Sequence, residues 1–238
     1  PKAVATSKEF DRIIFLGFKN EDIASPALPR VYISSDAGQN FEVKVGPSPS
    51  QYSVAADENF DNLVIAEYSE GSPGSVWLST DMGDTWNKLT ADSSQQQWTS
   101  LLILDGNIDR LYASVLNAGM IFSSPNKGIS WDRALILDQT LRKETAFDMS
   151  SDASRAIVVT RDGLIGIYNQ SKVQGNNNGW RLIQNPPTPA VRFYGVTADR
   201  TFTRFAAVGD LQGGVLNIPP RVWISTDQGS TWKESGVN

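Results

Sequence analysis

Ser79-Thr80-Asp81-Met82-Gly83-Asp84-Thr85-Trp86 decides how this chain is read, because it recurs. Ser34-Ser35-Asp36-Ala37-Gly38-Gln39-Asn40-Phe41 is an earlier copy. Ser124-Pro125-Asn126-Lys127-Gly128-Ile129-Ser130-Trp131 and Ser225-Thr226-Asp227-Gln228-Gly229-Ser230-Thr231-Trp232 are later ones. All four follow the pattern S-x-[DN]-x-G-x-x-[WF]. Phe41, Trp86 and Trp131 stand 45 residues apart, and Trp232 lies 101 residues beyond Trp131. That last interval is close to two periods, so a worn copy is expected inside it. Trp180 is its aromatic, preceded by the polar insertion Gly175-Asn176-Asn177-Asn178-Gly179, and its Ser and Asp positions are lost. The chain therefore reads as five repeats.

Each recurring octad position has a turn-building role. Ser34 and Asp36, Ser79 and Asp81, Ser124 and Asn126, and Ser225 and Asp227 have side chains suited to capping backbone N–H groups. Gly38, Gly83, Gly128 and Gly229 supply a positive φ angle at low cost. The closing aromatics, Phe41, Trp86, Trp131 and Trp232, are expected to pack back beneath the hairpin.

Four short strands fit each repeat. In the second they are Tyr52–Asp57, Leu63–Tyr68, Ser75–Thr80 and Thr85–Leu89, separated by turn residues. No segment keeps a 3.6-residue apolar period, and only a helical turn is expected within Asp138–Phe147. A second signature marks the turn between the first two strands: Asp57 to Asn62 resembles Ser7 to Arg12, with Asp199, Phe202 and Arg204 in the same register. The third strand carries Val31, Val76, Ile121 and Val222 at one position and Tyr32, Trp77, Phe122 and Trp223 at the next. Neighbouring strand residues point to opposite faces, so both faces are apolar. Sheets stacked face to face around an axis require this, and the fold class is all-β: a β-propeller of five four-stranded antiparallel blades. The expected blades are residues 1–46, 47–91, 92–137, 138–185 and 186–238, within a single domain 1–238; either the five close by packing the first blade on the last, the favoured expectation, or they form part of a larger ring.

Composition narrows the chemistry. The 238 residues include no Cys and no His. This excludes Ser-His-Asp and Cys-His catalysis, zinc fingers, iron–sulfur clusters and disulfides. Carboxylate-only sugar chemistry survives, as does binding without catalysis. The net charge of −5 argues against a nucleic-acid partner. No transmembrane segment is present, since no run of 18 or more apolar residues occurs. No cofactor is implied. Acidic loops leave calcium open as a ligand, although no EF-hand or RTX spacing occurs, and no metal-binding residues are assigned. The chain opens on Pro1 rather than Met, which reads as a processed protein or an excised domain.

The octad resembles the Asp-box, or BNR repeat, of Asp-box β-propellers. That superfamily includes sialidases, some xyloglucanases, the luminal domain of the sortilin family, photosystem assembly factors and lectins. The resemblance implies a propeller whose Asp-boxes lie at the blade periphery, away from the ligand face. It leaves function open among glycan binding, protein binding and sugar hydrolysis. Sialidases of this kind carry an Arg in a [FY]-R-I-P motif. Arg12 stands in Asp11-Arg12-Ile13-Ile14 instead, which points to a non-catalytic member. Secreted or luminal localisation is also implied.

The opposite face, built from loops of varying length, is the expected binding face. Tyr52, Phe147 and Tyr194 are read as sharing one repeat position there. Trp98, which follows a polar run, is expected to be the exposed aromatic. Gln97 and Asn117 would supply hydrogen bonds to a sugar stacked on these rings. The expected partner is a glycan, with a protein ligand as the alternative. Asp148 and Glu67 are the carboxylates to weigh for a hydrolase. Nothing in the sequence sets the oligomeric state.

Overall fold

A computed structural model of the protein describes residues 3–7, 9–19, 28–49, 51–68, 74–89, 96–116, 118–175, 177–183, 191–211 and 221–235. It holds five four-stranded antiparallel sheets, the blades of a β-propeller, with strands in chain order across each blade. The first blade is β1 (Val4–Thr6), β2 (Ile13–Lys19), β3 (Leu28–Ser34) and β4 (Glu42–Val45). The second is β5 (Gln51–Ala56), β6 (Leu63–Glu67), β7 (Val76–Ser79) and β8 (Asn87–Leu89). The third is β9 (Trp98–Ile103), β10 (Leu111–Val115), β11 (Met120–Ser124) and β12 (Asp132–Ile136). The fourth is β13 (Glu144–Met149), β14 (Arg155–Thr160), β15 (Ile165–Gln174) and β16 (Asn177–Ile183). The fifth is β17 (Val191–Ala198), β18 (Phe205–Leu211), β19 (Arg221–Ser225) and β20 (Lys233–Ser235). Within Asp138–Phe147, the expected helical turn is a 3-10 turn, Gln139–Leu141, capped by Asp138 Oδ1 accepting from Thr140 N, and β13 follows it directly.

The chain divides into two compact units, Pro1–Val115 with Ile121–Ala134 and Leu116–Met120 with Leu135–Asn238. In the first unit, Ile14, Leu16, Val31 and Ile33 of the first blade pack against Val54, Phe60, Leu63 and Ile65 of the second. In the second unit, Ile157, Val159 and Ile165 of the fourth blade meet Val191, Phe193, Phe205 and Trp223 of the fifth. Each fully buried aliphatic of this size contributes about 1.5–3 kcal/mol. The third strands behave as two-sided elements in the first blade: Val31 and Ile33 face the second blade, while Tyr32 stacks on Phe15 with centroids 4.5 Å apart. The fifth blade departs from this. Trp223 is fully buried there, but Ile224, equivalent to Ile33, is 40% exposed. The face that Ile33 turns to a following blade is, in the fifth, the outer face of its unit.

Hydrogen bonds tie blade to blade inside each unit. Arg12 donates to the carbonyl of Asn59, and Arg155 donates to the carbonyl of Thr201 at 3.0 Å. Leu101 N donates to Ser53 Oγ at 3.0 Å. Asp148 Oδ2 accepts from Ala198 N at 2.7 Å and from Thr197 Oγ1 at 3.1 Å. At these two turns between first and second strands, the arginine thus reaches the next blade.

The four octads form one repeated turn. Ser34 Oγ, Ser79 Oγ, Ser124 Oγ and Ser225 Oγ each accept from the N–H of the glycine four residues on, at 2.7–2.8 Å. Each also donates to the side chain of Asp36, Asp81, Asn126 or Asp227. That side chain accepts from the backbone N–H of the seventh residue at 2.9 Å in every copy. Positive φ occurs at two successive positions rather than at glycine alone. Ala37, Met82, Lys127 and Gln228 have φ between 54° and 60°, and the glycines after them lie between 76° and 87°. With the hydrogen bond from residue six back to residue three, this is a turn of the I′ kind, whose twist suits a hairpin.

These turns make the fold acid-sensitive. The backbone N–H of Asn40 on Asp36, and the hydroxyls of Thr85 on Asp81 and Thr231 on Asp227, hold these carboxyls down from 3.8 to about 2. Hydroxyls of Ser150 and Thr201 lower Asp152 and Asp199 in the turns between first and second strands. A carboxyl lowered by folding stabilises fully above its unfolded value, and that stabilisation is lost as pH falls through the folded value. Stability is therefore expected to fall between about pH 4 and pH 2. Urea titrations across that range should show the acid limb flattening in an Asp36→Asn, Asp81→Asn, Asp227→Asn triple variant.

Candidate functional site

The opening strand of blades two to five enters its sheet through a bulge. Pairing shifts register between Gln51 and Ser53, at Val115 opposite Trp98, between Glu144 and Ala146, and between Phe193 and Gly195. The extra residues are Tyr52, Thr99, Thr145 and Tyr194. Such bulges release one side chain from the pleat and re-aim it, and they gather beside functional sites. All four lie at the strand end opposite the octads, on the side of the variable loops.

This register places the residues nominated by the sequence. Tyr52 is half-buried and meets Tyr68 at the end of β6, with centroids 5.2 Å apart. Glu67, beside Tyr68, accepts from Ser48 Oγ at 2.7 Å and from Trp77 Nε1 at 3.3 Å. Lys88 Nζ sits 5.6 Å from the Trp77 ring centre. Tyr52 and Tyr68 thus form an aromatic pair, and Glu67 is oriented separately by Ser48 and Trp77. Tyr194 is 49% exposed, and its hydroxyl donates to Asp210 Oδ2 at 2.7 Å. Partial desolvation, then the hydrogen bond and charge of Asp210, raise its phenol above the usual value.

Two nominated residues are corrected. Trp98 is 1% exposed, not a rim platform. It precedes the bulged Thr99 just as Phe193 precedes Tyr194, and both pack inward. Trp98 meets Phe122 edge-on at 6.0 Å, and Phe193 meets Trp223 edge-on at 5.5 Å. Phe147 is 4% exposed and stands two residues past the bulge, at the position of Val54 and Val196. It does not share the position of Tyr52 and Tyr194, which belongs to Thr145. Gln97 is half-buried at the mouth of β9, and Asn117 lies outside the described residues, as do most of the variable loops. Tyr68 and Asp210 were not foreseen. Both are found by extending the hairpin register from the bulged tyrosines.

The nominated carboxylates are each engaged. Asp148 is pushed up by burial, against the hydrogen bonds from Ala198 N, Met149 N and Thr197 Oγ1. It serves as a tie between two blades of one unit. Glu67 is held by Ser48 and Trp77.

No protein-family model matches the chain, and no curated protein is significantly similar to it in sequence. Solved structures are similar in fold. The GH74 xyloglucanase of Xanthomonas campestris is 16% identical with a TM-score of 0.64, over 99% of this chain and 38% of that one. The GH74 enzyme of Niastella koreensis is 17% identical with a TM-score of 0.66, over 98% and 38%. YCF48 bound to a D1 peptide is 15% identical with a TM-score of 0.57, over 98% and 65%. The chain thus spans less than two-fifths of the two GH74 structures and under two-thirds of this YCF48. At these identities the likeness establishes the fold, a β-propeller, and nothing narrower.

Proposed function

We propose that residues 1–238 act as a non-catalytic Asp-box recognition module that binds a neutral glycan at the loop-side rim. The observation that carries this reading is the repeated bulge, which delivers Tyr52 and Tyr194 to the loop-side strand ends, Tyr52 against the Tyr68 ring and Tyr194 hydrogen-bonded to the carboxylate of Asp210. Sugars are bound by an aromatic ring under their C–H face and by carboxylates and amides at their hydroxyls. Tyr194 with Asp210 supplies both elements, and the Tyr52–Tyr68 pair supplies further ring surface. The fold shared with a xyloglucanase supports a glycan ligand. A secreted or luminal setting goes with it.

A second reading, a protein- or peptide-binding scaffold, is favoured by the fold shared with YCF48 bound to a D1 peptide. Glycan-array screening separates the two. Binding of xyloglucan oligosaccharides is expected, weakened roughly three- to tenfold by Tyr52→Ala or Tyr194→Ala, without release of new reducing ends. An empty array together with capture of a peptide ligand would replace the first reading with the second. New reducing ends would overturn the non-catalytic part.

A further inference from the structure

The fourth blade is where the octad is missing, and there the third hairpin changes character. β15 runs for ten residues, to Gln174, where the equivalent strands of the second, third and fifth blades have four or five. Tyr168 pairs with Trp180 across the hairpin, the register then shifts, and Val173 pairs with Asn178 beyond. The indole of Trp180 is anchored by donating to the carbonyl of Ile136 at 3.0 Å, and its ring meets Tyr168 at 5.3 Å.

Between this hairpin and the fifth blade, within one unit, lies a cavity of about 370 Å³. Arg155, Lys172 and Arg181 line it, with Tyr168, Trp180 and Gln228. No Asp or Glu is among its lining residues, although the chain carries a net charge of −5. Such a concentration of cations runs against the composition. The two guanidinium groups are held in place by backbone carbonyls: Arg155 by Thr201, Arg181 by Gln228. A guanidinium has five donors, so each keeps most of them for a ligand. Lys172 is exposed and makes no ion pair among the described residues. Asp152, close to Arg155, already accepts from Ser150 and Ser154.

We infer that this cavity, on the octad side and at the opposite strand end from the bulged Tyr194, binds an acidic sugar residue, carboxylated or sulfated. Three cations with paired donors match a carboxylate or sulfate oxygen set. The Tyr168 and Trp180 rings and the Gln228 side chain suit the ring and hydroxyls of a sugar, which a bare anion lacks. The volume holds one or two sugar residues. The replaced octad gives the fourth blade the long hairpin that forms this site.

Calorimetric titration of the intact protein tests this, using trigalacturonate, a 6-sulfated disaccharide, neutral galactotriose and inorganic phosphate. The expected result is binding of trigalacturonate or the sulfated disaccharide, weakening as salt rises, with galactotriose and phosphate much weaker. Preference between the two acidic sugars identifies the anionic group. Lys172→Glu is expected to weaken binding at least about tenfold with an unchanged melting temperature. Trp180→Phe should weaken it while leaving the salt dependence intact. Tyr194→Ala, at the opposite strand end of the fifth blade, should leave it unchanged, so the rim reading and this one fail separately. Equal binding of galactotriose, binding of phosphate as tight as that of trigalacturonate, or indifference to Lys172→Glu would overturn the inference.

Discussion

Trp98→Ala is expected to cost about 3–5 kcal/mol of stability, because it empties a fully packed site. The side chain is 1% exposed and lies against Trp131 at 4.8 Å and Phe122 at 6.0 Å. Its Nε1 has no hydrogen-bond partner among the described residues, so the penalty is one of packing alone. Trp98→Phe should therefore cost far less, under about 2 kcal/mol, as a change that keeps the ring and much of the volume. For a chain of this size the alanine variant corresponds to a fall in melting temperature of roughly 6–20 °C. Denaturant titration followed by tryptophan fluorescence reads the difference. Glycan affinity of the folded fraction should be unchanged. Normal stability with lost binding would return Trp98 to the rim.

The second large effect lies in an octad. Ser79 is fully buried, and its hydroxyl donates to Asp81 Oδ1 while accepting from Gly83 N, both at 2.7 Å. Ser79→Ala leaves the buried Gly83 N–H without a partner, at a cost of about 1–3 kcal/mol. Asp81→Asn should be much milder, and the third octad supplies the reason. There Asn126 Oδ1 still accepts from Ser124 Oγ and Ser130 N, while its Nδ2 donates to Ser130 Oγ at 2.9 Å. The residue at the seventh position can reverse its role when it is a hydroxyl, donating to Asp81 from Thr85 and accepting from Asn126 at Ser130. Comparing Ser79→Ala with Asp81→Asn by chemical denaturation checks this ranking. An asparagine variant as damaged as the alanine variant would refute it.

Blade count and strand order were legible because the octads act locally. The Ser, Asp or Asn, and Gly hydrogen bonds that shape each turn join residues no more than four apart, so sequence spacing translates directly into turn geometry. The second blade illustrates this: Tyr52–Asp57 is expected as its first strand, and Gln51–Ala56 is observed. The rim was harder. A bulge inserts one residue and moves every following side chain to the other face. Phe147 was aligned with Tyr52 and Tyr194 by type, whereas pairing aligns Thr145 with them. Trp98 was judged by the polar run before it, although its repeat-mate Phe193 is buried. Aligning repeats on their bulges instead of on their aromatics would have corrected both. The cationic cavity had no local signature, because Arg155, Lys172 and Gln228 come from three separate elements, β14, β15 and the last octad.

The arginine contacts between blades have an evolutionary consequence. Arg12 and Arg155 occupy the same place in their repeats, and the carbonyls they reach, on Asn59 and Thr201, also match. In these two joints one repeat carries the plug and the next carries the matching socket. A gene built of such copies can lengthen by tandem duplication without inventing a new joint. It also lets one copy drift. The fourth repeat has surrendered its octad to a longer hairpin while its plug still seats in the neighbour, leaving selection free to remodel that hairpin.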